Sequence, residues 1–254
     1  MLGGVLSDPN IISWFSFRTP FYVAAGMTIV AALAAWTMLP EFPKKIPQTD
    51  TPAQTKRFIQ HFNIVGQLKY LCKDRTLKLL FLASFCFFFA VDTYYEFYPA
   101  YLVKIWNMGA LGIALLTASL CLGLMFSSAF LSRFLAKRFA VMPTIFWHML
   151  FFSLMLSITL LASHLLPLYV VFCLTGVMIS VVSNQFYVQV SEVAHKDQQG
   201  EALGMAMGLR TLGDGIISFV GGFLVLISVY IPLLFAIVIA LIAALILWLK
   251  FLKK

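Results

Sequence analysis

Seven apolar runs fix what this chain can fold into. They are Pro20 to Leu39, Leu77 to Val103, Leu111 to Leu131, Phe139 to Ala162, Leu166 to Val190, Ala202 to Ser228 and Ile231 to Leu249. Each reaches the roughly 20 residues a helix needs to cross a bilayer's hydrocarbon core. None alternates with a period of two, and backbone in lipid must satisfy its own hydrogen bonds, so the runs read as transmembrane helices. The expected fold is all-α, a polytopic membrane bundle of seven transmembrane helices. Composition agrees: 61% of residues are hydrophobic and 11% charged, with a mean hydropathy of +0.94, whereas a soluble domain carries about 25% charged residues.

The formal net charge is +8. A nucleic-acid surface would gather that charge on one soluble face among aromatics. Here the basic residues lie in the connections between apolar runs, which is a topology pattern, so no nucleic-acid partner is expected. Lys44, Lys45, Lys56, Arg57, Lys69, Lys73 and Arg75 fall in the stretch 40–76, Arg133, Lys137 and Arg138 after the third run, Lys196 after the fifth, and Lys250, Lys253 and Lys254 in the tail. The opposite side holds Arg18 and Lys104. The positive-inside rule puts the first group, with the C-terminus, in the cytoplasm.

The expected organisation has three parts. Residues 1–39 hold the end of one helix and the first full run, 40–76 form a cytoplasmic connection, and 77–254 form a six-helix transmembrane domain. The connection has a proline-rich linker (Pro40, Pro43, Pro47, Pro52). Its second half, Gln54 to Cys72, spaces Phe58, Phe62, Val65, Leu68 and Leu71 as an amphipathic helix does. That helix either lies on the membrane surface or packs on the bundle ends. The four cysteines form no CxxC, no His, Cys and acid cluster has metal spacing, and HExxH, Walker A and GxSxG are absent. No cofactor, metal or enzymatic activity is expected.

LGGVLSDP (Leu2 to Pro9) resembles the end of the fifth helix of the major facilitator superfamily. SFRTPFYVAAGMTIVAALAAWTMLPE (Ser16 to Glu41) resembles its sixth helix, and LCKDRTLK (Leu71 to Lys78) the lead-in to the seventh. GEALGMAMGLRTLGDGIISFVGG (Gly200 to Gly222) resembles the eleventh helix of its drug–proton antiporters. LSRFLAKRF (Leu131 to Phe139) is similar to the weaker second copy of the family's cytoplasmic loop motif. Ser132 stands where that motif has Asp and Leu135 where it has Gly, so Arg133, Lys137 and Arg138 read either as the motif or as topological charges. The resemblance covers nearly the whole chain. It implies helix 6 plus the C-terminal six-helix half of a major facilitator fold, with helices 1 to 4 and most of 5 lying outside the chain. It implies a substrate cavity lined by helices 7 and 10, and packing of helices 8 and 11 against a second half.

Ionisable groups inside lipid default to functional readings. Asp92 and Glu96 share one face of the second run, with Tyr95 beside them. Burial disfavours the charged form of a carboxylate, so such a group is suited to load and release a proton. Glu96 also reads as a carboxylate at the outer headgroup level. Tyr94, Tyr95, Tyr98 and Tyr101 read either as a stacking wall or as an interfacial belt. Asn184, Gln185 and Gln189 in the fifth run read as cavity contacts or packing amides. Arg210 and Asp214, at i and i+4, are spaced for an intrahelical ion pair. Ser119 and Gly123, and Gly204 and Gly208, lie on small-residue stripes that let helices approach closely, and were the chain to lack its partner half these would be orphan interfaces. The expected function is secondary active transport, most like proton-coupled efflux of a small amphipathic compound across a bacterial-type inner membrane. The expected partners are the lipid bilayer, the substrate, protons and a missing N-terminal half. The alternative is a truncated, transport-inactive chain or one piece of a split transporter acting as an interaction module.

Overall fold

The computed structural model describes residues 18–38, 75–194 and 196–249. The linker and amphipathic segment expected within 40–76, the start of the chain and the basic tail lie outside these. Among the described residues, seven helices are long and apolar enough to cross a membrane. The chain divides into two units, Met1–Tyr70 and Leu71–Lys254. In the first, α1 spans Thr19–Met38. Thr28 and Thr37 donate to the carbonyls of Ala24 and Leu33 at 2.9 and 3.0 Å.

The second unit holds α2 (Arg75–Trp106), α3 (Ala110–Arg138), α4 (Val141–Leu161), α5 (Leu165–Val193), α6 (Gln199–Ile227) and α7 (Tyr230–Leu247). Proline positions the helix starts. Pro20, Pro143, Pro167 and Pro232 all fall in the first turn of their helices, where the backbone N–H has no intrahelical acceptor to lose. Pro99 is the exception: it lies inside α2, so the Tyr95 carbonyl has no helical donor. Asn107 ends α2 with φ of 49°, a left-handed conformation that asparagine tolerates better than most residues.

The third and fourth helices differ from the runs. The expected cytoplasmic loop at Arg133–Arg138 is helical: α3 continues through Arg138 and only Phe139 and Ala140 form the turn. Ser127–Leu131 within α3 is a π-helical turn. Hydropathy places a boundary at Leu131 because charge begins there, yet backbone hydrogen bonding continues through charged residues.

α2 packs against α7, α6 and α5, α5 against α3, α4 and α6, and α7 against α4. The core is aromatic. Phe87 meets Phe152 at 5.5 Å between ring centroids and Tyr94 meets Tyr98 at 5.2 Å, within the range of favourable aromatic pairs. Tyr94, Tyr98 and Tyr101 are buried in it, so neither the stacking wall nor the interfacial belt describes them. Tyr98 shares a 2.7 Å hydrogen bond with Thr117, and Tyr101 donates to the Thr159 carbonyl at 3.1 Å.

α3 and α5 approach closely at two glycines. A Cβ on Gly123 would meet the Cys173 carbonyl, and one on Gly176 the Leu120 carbonyl. Apolar burial drives no helix association in lipid, so close backbone contact of this kind carries the packing. Gly123 therefore serves an interface within this chain rather than an orphan one. Ser119, on the same stripe, is half-buried and donates to the Leu116 carbonyl at 2.7 Å. A Cβ added to Gly204 or Gly208 would meet nothing within 4 Å, so the α6 stripe stays open.

Candidate functional site

Asp92 lies near the middle of α2, roughly 25 Å along the axis from Arg75 and roughly 20 Å from Trp106 at 1.5 Å per residue. Arg210 reaches it from α6. Its Nη2 donates to Oδ1 at 2.9 Å and its Nε to Oδ2 at 3.3 Å, a bidentate pair. The spacing of Arg210 and Asp214 predicts an intrahelical partner, but the cation takes Asp92, 118 residues away in sequence. The reason is burial. Asp92 is 8% exposed, and a carboxylate so enclosed needs a counter-charge, whereas Asp214 is exposed and does not.

The guanidinium also sits 4.8 Å over the Phe88 ring, and Phe88 stacks on Tyr187 of α5 at 5.6 Å. The Tyr187 hydroxyl lies beside the guanidinium. One turn on, Ser218 of α6 donates to Glu96 Oε1. Asp92–Arg210 and Glu96–Ser218 are thus two polar cross-links between α2 and α6. They are flanked by close contacts of Gly213 with Phe85 and Phe89 and of Gly221 with the Phe97 ring. Tyr95 is half-buried on the same stretch. Asp214 and Glu96 both stand close enough to act electrostatically on Asp92.

The α5 amides belong to a different cluster. Asn184 Nδ2 donates to Ser132 Oγ at 3.1 Å and reaches Ser128 and Ser180 at 3.4 Å each. Gln185 Nε2 donates to the Ser132 carbonyl at 3.3 Å. Both therefore face the π-helical end of α3, not the Asp92 pair. Gln189 is half-buried. Arg133, Lys137 and Arg138 are exposed at that same end of α3. His148 is half-buried, its Nδ1 donating to the Thr144 carbonyl at 2.7 Å. Among the described residues no group of three or more His, Cys, Asp or Glu side chains is placed to hold a metal ion.

Phe88, Tyr187 and Ser218 are site residues that the sequence does not single out. Phe and Tyr are common throughout the chain, and a serine in an apolar run is unremarked until its partner is known. The one available signal concerns the ion pair: an aspartate and an arginine in separate apolar spans both need counter-charges, so each is a candidate for the other.

Spanning helices joined by a bidentate ion pair whose carboxylate is buried define a polytopic membrane protein. The Major Facilitator Superfamily model matches residues 1–218, and the chain belongs to that superfamily of membrane transporters. A comparison with curated proteins finds no match.

Proposed function

We propose that the chain works in proton-coupled secondary transport, moving a small amphipathic compound outward across a bacterial-type inner membrane, with the Arg133–Arg138 end of α3 in the cytoplasm. The observation that carries this reading is Asp92, buried mid-helix and held by Arg210 from another helix. Protonation removes the charge that holds Arg210, so the same carboxylate is contested by a proton, by Arg210 and by a polar group of the substrate. Asp92, Glu96 and Asp214 outnumber Arg210 on this stretch, and the excess negative charge favours cationic substrates. Phe88 and Tyr187 supply aromatic faces beside it. The test is proteoliposome flux of ethidium, an amphipathic probe, under an imposed pH gradient. Wild type is expected to show gradient-driven flux and Asp92→Asn to lose it. Equal gradient-driven flux in both would remove Asp92 as the proton carrier.

A second reading, a piece of an assembled transporter or an inactive interaction module, is favoured by α6. Gly204 and Gly208 are open and Phe219, Phe223 and Leu226 are exposed along that helix. Cross-linking from Gly208→Cys separates the readings: links to a second polypeptide support assembly, and links only within this chain count against it.

A further inference from the structure

We propose that the charged end of α3 is a binding site for one anionic phospholipid molecule, its phosphate held by Arg133, Lys137 and Arg138 and its acyl chains lying along Phe126, Phe130 and Phe134. The three phenylalanines are 55%, 68% and 53% exposed, and with Arg133 they line a groove of about 470 Å³. They follow one another at four-residue steps down the side of α3 away from the buried Ser127 and Ser132. The groove is apolar apart from Arg133, and Lys137 and Arg138 follow it at the end of α3, a pairing of apolar surface and positive charge that suits a lipid better than a soluble anion. Arg138 lies 5.9 Å over the Phe134 ring, so charge and aromatic stripe form one continuous surface. Among the described residues, none of these three cations has a carboxylate within 4 Å, because the single ion pair found there is Arg210 with Asp92. Unpaired basic side chains at a helix end attract anionic headgroups, and the attraction falls off within a Debye length.

The polar side of the same turn gives a place for the rest of the headgroup. Ser128, Ser132, Asn184 and Gln185 share a second cavity of about 310 Å³ with Arg133. Gln185 is 2% exposed, and its Oε1 has no hydrogen-bond donor. The π-helical turn Ser127–Leu131 widens α3 at this level, and such turns are frequent at functional sites. This inference depends on the fold and not on the transport reading above.

Two measurements on the full chain test it. In the first, p-benzoylphenylalanine replaces Phe130 and the protein is illuminated in bilayers mixed from phosphatidylglycerol and phosphatidylcholine with identical acyl chains. Phospholipid adducts are expected, with phosphatidylglycerol enriched roughly tenfold over its share of the bilayer. An adduct to polypeptide, whether a second copy or another protein, overturns the proposal, as does labelling at the bulk lipid ratio. In the second, Arg133→Gln, Lys137→Gln and Arg138→Gln are combined, and the enrichment is expected to vanish. These charges also direct insertion, so the wild-type chain is measured again at 1 M salt, where the Debye length is about 3 Å and the enrichment is expected to fall several-fold. Enrichment that survives both treatments overturns the proposal.

Discussion

At the residue scale, the position of one carboxylate decides the local chemistry. Asp92 is enclosed and Arg210 is 36% exposed along its side chain. Removing one partner of a buried pair leaves a charge without compensation, which costs about 3–5 kcal/mol when burial is complete. With Arg210 partly exposed, Arg210→Gln is expected to destabilise the bundle by about 2–3 kcal/mol. The double variant Asp92→Asn with Arg210→Gln should recover at least about 1 kcal/mol of that, a coupling read from a double-mutant cycle of unfolding in detergent. The same cycle with Asp214→Asn in place of Asp92→Asn should give coupling below about 0.5 kcal/mol. The reverse ordering would mean that the intrahelical spacing, and not burial, selects the partner. The ion pair's members are legible in the sequence as charges inside apolar runs. Their partnership is not, because i and i+4 spacing is a local rule and the contact spans 118 residues.

At the element scale, two glycine stripes that look alike in sequence behave differently. Gly123 lies against the Cys173 carbonyl of α5, and Gly208 faces open space. Gly123→Ala is expected to force the α3 and α5 backbones apart and to lower stability by about 2–3 kcal/mol. Gly208→Ala should be neutral or stabilising by up to about 1 kcal/mol, through the gain in helix propensity. Thermal unfolding of the two variants side by side checks this, and equal losses would show that the α6 stripe is packed too. The length and apolarity of the runs identify both helices, because these are properties of a single segment. Which stripe meets a partner depends on the three-dimensional crossing, and spacing alone does not encode it. The end of α3 escapes hydropathy for a related reason. Arg133, Lys137 and Arg138 end the apolar run but not the helix, whose last turn carries Lys137 and Arg138.

At the scale of the whole molecule, charge placement predicts an orientation. Lys104 lies at the far end of α2 and Lys137 at the far end of α3, and two successive spans put those ends on opposite sides of the membrane. An impermeant maleimide is expected to label Lys104→Cys in intact cells and Lys137→Cys only after permeabilisation, with the native cysteines replaced by serine. Labelling in the opposite sense would invert the topology and move the Asp92 site's accessible side with it. The all-helical class and the number of spans are readable from hydropathy because the bilayer permits few backbone solutions. The mutual arrangement of the spans is not, since packing in lipid rests on shape and on a few polar contacts such as Glu96 with Ser218.

The reciprocal contact of Gly123 and Gly176 has a mechanical consequence. Each glycine receives a carbonyl of the other helix, Cys173 on one side and Leu120 on the other. Sliding α3 along α5 in either direction drives a carbonyl out of its notch and onto the bulk of a neighbouring side chain. The two helices are therefore keyed together and travel as one body. The α2–α6 boundary is joined differently, by the side-chain polar bonds of Asp92 with Arg210 and of Glu96 with Ser218 and by the ring contacts beside Gly213 and Gly221.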